Sequence, residues 1–271
     1  MLKLRLLTAA IMIAVLLGAI FLLPVLMFDL FMAVILLIGA WEWSTLSGLQ
    51  SRIHRAVYVL LLFAVLYLFM HLPERILILM MFPAIGWWTL ALIMICRYPA
   101  GARLWHRKPV LLLAGLLVLL PGWAAIVHLS LQENYRVWII ICLSMIAFAD
   151  SGAYFAGRFL GKTSLAPMVS PNKTWEGVFG GLLACAVLAC SIAALSGVET
   201  GLHPALVALA AIVVAASSIV GDLFESMIKR QSGVKDSGSL LPGHGGVLDR
   251  LDSITAALPI FILLLVWMDL L

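Results

Sequence analysis

Nine long apolar runs decide what this chain can become. They cover residues 6–23, 25–45, 56–72, 76–96, 110–131, 137–157, 177–198, 204–224 and 253–271, each free or nearly free of charge. Crossing a bilayer's hydrocarbon core takes about 20 apolar residues of helix, and within that core each backbone polar group must be satisfied inside its own segment. The runs therefore predict an all-α polytopic membrane protein of nine spans. Composition agrees. Of the 271 residues 64% are apolar and 11% charged, against roughly 45–50% and about 25% in soluble domains. That balance excludes a disordered chain, a nucleic-acid-binding domain and an ordinary water-soluble enzyme. Cys96, Cys142, Cys185 and Cys190 lie in or at the ends of apolar runs, without metal-ligand spacing, so no disulfide frame is expected.

Lys3 and Arg5 before the first run give it the look of a signal peptide. Its apolar stretch is too long for one and no small-x-small cleavage site follows, so it reads as an anchor. Only Pro24 and Asp29 interrupt the first two runs, which leaves a re-entrant pair as an alternative. With the amino end placed in the cytoplasm, every lysine and arginine except Arg75 and Arg136 falls on the inner side, 15 of the 17. The positive-inside rule thus favours nine spans with the carboxyl end outside. Residues 1–149 read as a transmembrane scaffold. Residues 150–271 read as a catalytic membrane region with cytoplasmic loops at 158–176 and 229–250.

Carboxylates inside or beside apolar helices are costly and mark function. Asp222 and Glu225 are three apart at the inner end of the eighth span, hence on one face, and Lys229 follows at the i+4 position of Glu225. Asp249 and Asp252 repeat that spacing at the start of the ninth. An ion pair closing one helix and an N-cap opening the next would also account for them. Four carboxylates at one depth are hard oxygen ligands of the kind Mg²⁺ takes alongside substrate phosphates. Between the pairs lie Arg230, Lys235, Asp236, His244 and five glycines from Gly233 to Gly246, including Gly245 and Gly246. Glycines admit an anion close to the backbone, and basic side chains donate charge-assisted bonds to phosphate.

The earlier loop carries Ser170, Asn172, Lys173 and Thr174, which are phosphate-type ligands, just before Glu176 opens a span. Residues 156–163 fit a loose phosphate-loop pattern but lack the strand-to-helix context that motif needs. Glu42, between Trp41 and Trp43, reads equally as a bundle-facing polar residue or as part of an interfacial belt. No role follows for it or for Asp150. His71 and His128 read as interfacial.

The run Ser226-Met-Ile-Lys-Arg-x4-Lys235-Asp236-x-Gly238-x2-Leu241-Pro242-x-His244-Gly-Gly-Val-x-Asp249-Arg250-Leu-Asp252 closely resembles the signature of the phosphatidate cytidylyltransferase (CDP-diacylglycerol synthase) family. It spans 27 residues and departs at no restricted position. Ser170-Pro-Asn-Lys-Thr and Gly221-Asp-Leu-Phe-Glu-Ser look like that family too. The likeness is strong over 150–252 and only compositional over 1–149. It implies transfer of CMP from CTP to phosphatidate, giving CDP-diacylglycerol and pyrophosphate, with Mg²⁺ and a second cation as cofactor candidates. Asp222, Asp249, Lys235, Arg250 and His244 are the implied catalytic residues. Asp222 and Asp249 are the implied metal ligands, with Asp252 and Glu225 as further candidates. Ser170, Asn172, Lys173, Thr174, Lys229, Arg230, Asp236, Gly245 and Gly246 are expected to bind substrate. The implied setting is a bacterial inner membrane, with CTP, phosphatidate and membrane lipid as partners, no nucleic acid, and a homodimer as a further expectation. A CTP-dependent lipid kinase of the dolichol type is the alternative, but no residue is placed as the base it needs. A secondary transporter is the other, but neither inverted repeats nor broken helices are visible.

Overall fold

The computed structural model describes residues 2–195 and 203–271. Its elements in order are α1 (Leu2–Leu22), α2 (Val25–Leu46), α3 (Arg52–Phe69), α4 (Glu74–Arg97), a short α5 (Ala102–Trp105), α6 (Lys108–Ser130) and α7 (Tyr135–Leu160). Strands β1 (Ser164–Ala166) and β2 (Ser170–Thr174) follow, then α8 (Trp175–Leu195), α9 (Pro204–Gln231) and α10 (Leu248–Trp267). Among the described residues nine of these helices are long and apolar enough to cross a membrane, as the runs require. The protein is an integral membrane protein. The tail of the seventh expected span beyond Leu195, and the outer loop expected around Thr200, lie outside the described residues.

Three local readings change. The re-entrant pair gives way to two complete helices of 21 and 22 residues, each about 30 Å long. The chain breaks between them at Pro24, which has no N–H to continue a helix but suits the start of one. The loop expected at 229–250 shrinks, because α9 runs on to Gln231 and holds Lys229 and Arg230 in its last turns. The i,i+4 pair of Glu225 and Lys229 supports that extension. Likewise α7 runs three residues past the expected end at 157, to Leu160, and the rest of that loop forms an antiparallel hairpin with Ser164 opposite Thr174. Pro167 and Pro171 deny this stretch a helix, and among the described residues it is the one hairpin of named strands in an otherwise helical chain.

The spans α6 and α10 are the most buried and α1 the least. Helix α10 touches α9, α6, α4, α7 and α2 and so joins the two halves of the bundle. Two indoles inside it find partners: Trp43 Nε1 donates to the Leu111 carbonyl at 2.7 Å and Trp123 Nε1 to the Leu66 carbonyl at 2.8 Å. Trp123 is therefore a core residue. His128 is fully buried rather than interfacial, 3.4 Å from Glu74 Oε1.

Helices α7 and α8 meet along small residues. A Cβ on Gly152 would stand 2.6 Å from Ala184 Cβ and 2.7 Å from the Gly180 carbonyl oxygen. Small side chains let helix backbones approach closely where no water drives them together. Gly152→Ala should therefore cost about 1–3 kcal/mol through overpacking and lower the unfolding midpoint in detergent. Gly18→Ala, whose Cβ would meet nothing within 4 Å, is the control and should not lower it. Equal midpoints for the two variants would refute close α7–α8 contact.

Candidate active site

Helix α9 sets the phase of the site. Its Phe224 ring lies 5.4 to 6.2 Å from the rings of Trp87, Trp88 and Trp43. At about 100° per residue, anchoring Phe224 in that aromatic cluster turns Asp222, Ser226 and Lys229 to the far side and leaves Glu225 on the flank. Asp222 there faces β2. Glu225 and Lys229 face α10.

Asp222 borders a cavity of about 510 Å³ between α7, α8, α9 and the hairpin. Asp150, Arg158, Asn172, Lys173 and Thr174 line it as well. Lys173 Nζ reaches across to Asp222 Oδ2 at 2.7 Å, and Ser226 Oγ donates to Asp222 Oδ1 at 3.2 Å. The Lys173–Asp222 pair is about one-third exposed, so both groups stay within reach of solutes. Thr174 Oγ1 accepts from the Gly177 amide at 3.1 Å and so caps α8. Ser170 starts β2 and does not line the cavity.

The second cluster is buried. Lys229 Nζ bonds Asp249 Oδ1 at 2.5 Å and Glu225 Oε1 at 3.1 Å. Asp249 Oδ2 accepts from the Ser237 amide at 2.9 Å, the Ser237 hydroxyl at 2.9 Å and the Gly246 amide at 2.7 Å. Lys229, expected to bind substrate, is here paired with two carboxylates of the protein itself. For Asp249 to ligate a metal, Lys229 would have to give up Oδ1. Asp252 Oδ1 accepts from the Ser253 amide at 2.7 Å.

The glycines fit this knot. Gly245 has φ +82°, a left-handed conformation that disfavours a side chain. A Cβ on Gly246 would collide with Ser237 Oγ and the Glu42 carboxylate. The remaining signature residues lie around the loop rather than in the knot. Lys235, Asp236 and Arg250 are exposed, and Arg250 Nη2 donates to the His244 carbonyl at 3.2 Å. His244 Nδ1 lies 2.7 Å from Thr8 Oγ1 on α1. Arg230 Nε donates to the Val169 carbonyl at 3.4 Å, beside the hairpin.

Sequence reasoning missed two residues. Asp150 stands in helix α7 and faces the same cavity as Asp222 and Lys173. Glu42 of α2 sends its carboxylate into the signature loop. Its Oε1 accepts from the Val247 amide at 3.1 Å, and its Oε2 from the Leu248 amide at 2.8 Å and Ser237 Oγ at 2.9 Å. The available signal for each was a lone acid in an apolar run, which is costly without a partner.

The cavity suits a hard divalent cation bound together with phosphate. Asp222 Oδ2 already accepts a cationic group, and Asp150 adds a second carboxylate to the same walls. Among the described residues no three His, Cys, Asp or Glu side chains converge into a closed cage. Two carboxylates at an open mouth match Mg²⁺, which keeps positions for phosphate and water.

Comparison with known proteins bears on the whole chain. Residues 3–268 match the model of the cytidylyltransferase family. Phosphatidate cytidylyltransferase of Pseudomonas aeruginosa is 43% identical over 268 residues, 98% of this chain and 97% of that protein. The Haemophilus influenzae protein of that name is 39% identical over 285 aligned positions, 96% of this chain and 97% of its own. A Staphylococcus epidermidis counterpart is 44% identical over 135 residues, half of each chain. The likeness therefore reaches the front half, which from sequence was only compositional, and it favours neither a lipid kinase nor a transporter. With its signature loop tied to α9 and α10 and a full-length match, the chain belongs to the cytidylyltransferase family.

Proposed function

We propose that this protein transfers the cytidylyl group of CTP to phosphatidate, releasing pyrophosphate, at the cytoplasmic face of a bacterial inner membrane. The observation that carries the reading is the Lys173–Asp222 pair in a cavity of about 510 Å³ at the bundle end that gathers the signature loop. A phosphate oxygen of phosphatidate attacks the α-phosphorus of CTP. The bond from that phosphorus to the bridging oxygen breaks, and pyrophosphate leaves with the electron pair. A phosphomonoester has its second pKa near about 6, so the nucleophile is already a dianion and needs no base.

What the site must supply is alignment of two polyanions and compensation of charge on the leaving group. Lys173 and Arg158 face the cavity and offer charge-assisted donors, while Asn172 adds a neutral one. Mg²⁺, when bound, would be held by Asp222 and Asp150 and would neutralise phosphate charge. Lys173 would exchange its bond to Asp222 for one to a substrate phosphate. Lys235 and Arg250, exposed on the signature loop, are suited to the outlying phosphates of CTP.

Supplying labelled CTP and phosphatidate to purified protein should give CDP-diacylglycerol only when Mg²⁺ is present. Lys173→Ala removes a charge-assisted contact of roughly 1.5–3 kcal/mol, so catalytic efficiency should fall about 10–100-fold. Lys173→Arg should restore part of it. Wild-type efficiency towards both substrates in Lys173→Ala would remove this cavity from the reaction. Orientation has its own test, in a background lacking the four native cysteines. A cysteine at exposed Ser239 should escape an impermeant thiol reagent in intact cells, and one at exposed Glu133 should react. The reverse pattern would put the site on the outer face.

A further inference from the structure

We infer that Glu42 is a positioning residue for cytidylyl transfer: from the second helix it holds the signature loop in its working geometry. The inference rests on the function proposed above. Glu42 lies 195 residues before Ser237 and 206 before Leu248, yet its side chain accepts three hydrogen bonds from that stretch. It is buried, and every one of those bonds falls on the segment that also holds Asp249.

The start of α10 explains the need. The first amides of a helix have no partner within it, and Val247, at the cap position, offers no side-chain acceptor. Glu42 supplies one from another helix. Its negative charge sits where the α10 dipole is positive, a favourable placement. Ser237 Oγ lies 2.9 Å from both Glu42 Oε2 and Asp249 Oδ2, so its single proton links the two carboxylates one at a time. The contact is tight enough to dictate composition nearby: a Cβ on Gly238 or Gly246 would collide with the Glu42 carboxylate. Glu42 itself does not line the cavity, so it acts through others. It fixes Ser237 and the first turn of α10, and through them the register of Asp249, Arg250 and Asp252.

Glu42→Gln tests this. An amide keeps size and shape but has one oxygen for two backbone amides, so either Val247 or Leu248 loses its acceptor. A small displacement of reacting groups costs up to about 100-fold. The kcat per folded molecule should fall about 10–100-fold, with KM for CTP and for phosphatidate changing less than about threefold. The conservative Glu42→Asp, one methylene shorter, should not restore it. Asp29→Asn, at the other buried carboxylate of α2, should leave kcat unchanged. Ser237→Ala tests the same link should Glu42→Gln not accumulate: it should lower kcat and speed amide exchange at Val247 and Leu248.

Normal kcat in folded Glu42→Gln would overturn the inference, as would normal kcat in Ser237→Ala. So would a Glu42→Gln loss confined to yield and thermal stability, which a merely structural role predicts. If the wild-type protein itself shows no cytidylyl transfer, the proposed reaction falls. Amide exchange at 247–248 then still decides whether Glu42 holds the loop: unchanged exchange in Glu42→Gln overturns it, faster exchange supports it.

Discussion

The bond between Lys229 and Asp249 is the contact on which the rest of the site depends. It ties the end of α9 to the start of α10, and both partners are almost wholly buried. Burying charge in a membrane bundle is costly, and removing one partner of such a pair typically costs about 3–5 kcal/mol, because the other is left uncompensated. Here compensation is shared. One ammonium faces Glu225 and Asp249, while amides of Ser237, Gly246, Val247 and Leu248 turn inward on Asp249 and Glu42. Backbone N–H groups converging in this way form an anion nest. The glycine-rich signature thus serves its own carboxylates first. Gly238, Gly245 and Gly246 are there because the chain must close around those acids.

That arrangement separates two jobs which carboxylates in one region could otherwise confuse. Asp249, Glu225 and Glu42 are engaged by protein donors and hold α9, α10 and the loop together. Asp222 and Asp150 face an open cavity opposite Lys173 and Arg158. A reaction between two polyanions needs both kinds. Without the first the basic groups would have no fixed positions. The second, on the reading proposed above, would hold the divalent cation against which phosphate charge is balanced. The aromatic cluster around Phe224 divides the labour, because it fixes which side of α9 meets the hairpin and which meets α10.

Much of this was legible in the sequence. The nine apolar runs foretold the nine long helices found among the described residues, since a bilayer admits so few alternatives. The signature and the Ser170–Thr174 segment marked the family, because phosphate chemistry restricts residue types at fixed gaps. Boundaries were less legible. Apolarity fades towards the helix ends, but α7 and α9 continue as helices to Leu160 and Gln231. Helix formation needs only backbone bonds and tolerates charge on a wet or paired face. His128 read as interfacial from its place near a helix end, but lies buried beside Glu74.

The sequence by itself determined the solvent of this protein, the number of long helices among the described residues and the family signature between α9 and α10. Each of these rests on local composition or on short-range spacing. Only the tertiary structure decided which acids face the cavity and which are paired within the protein, with Lys229 between two of the latter. It alone joined Glu42 to a loop some 200 residues away. Such pairings depend on how helices rotate and stack, and in this bundle that is set by the Phe224 cluster and the small residues of α7 and α8. A lone acid in an apolar run announces that it has a partner, but only the packed bundle says which one.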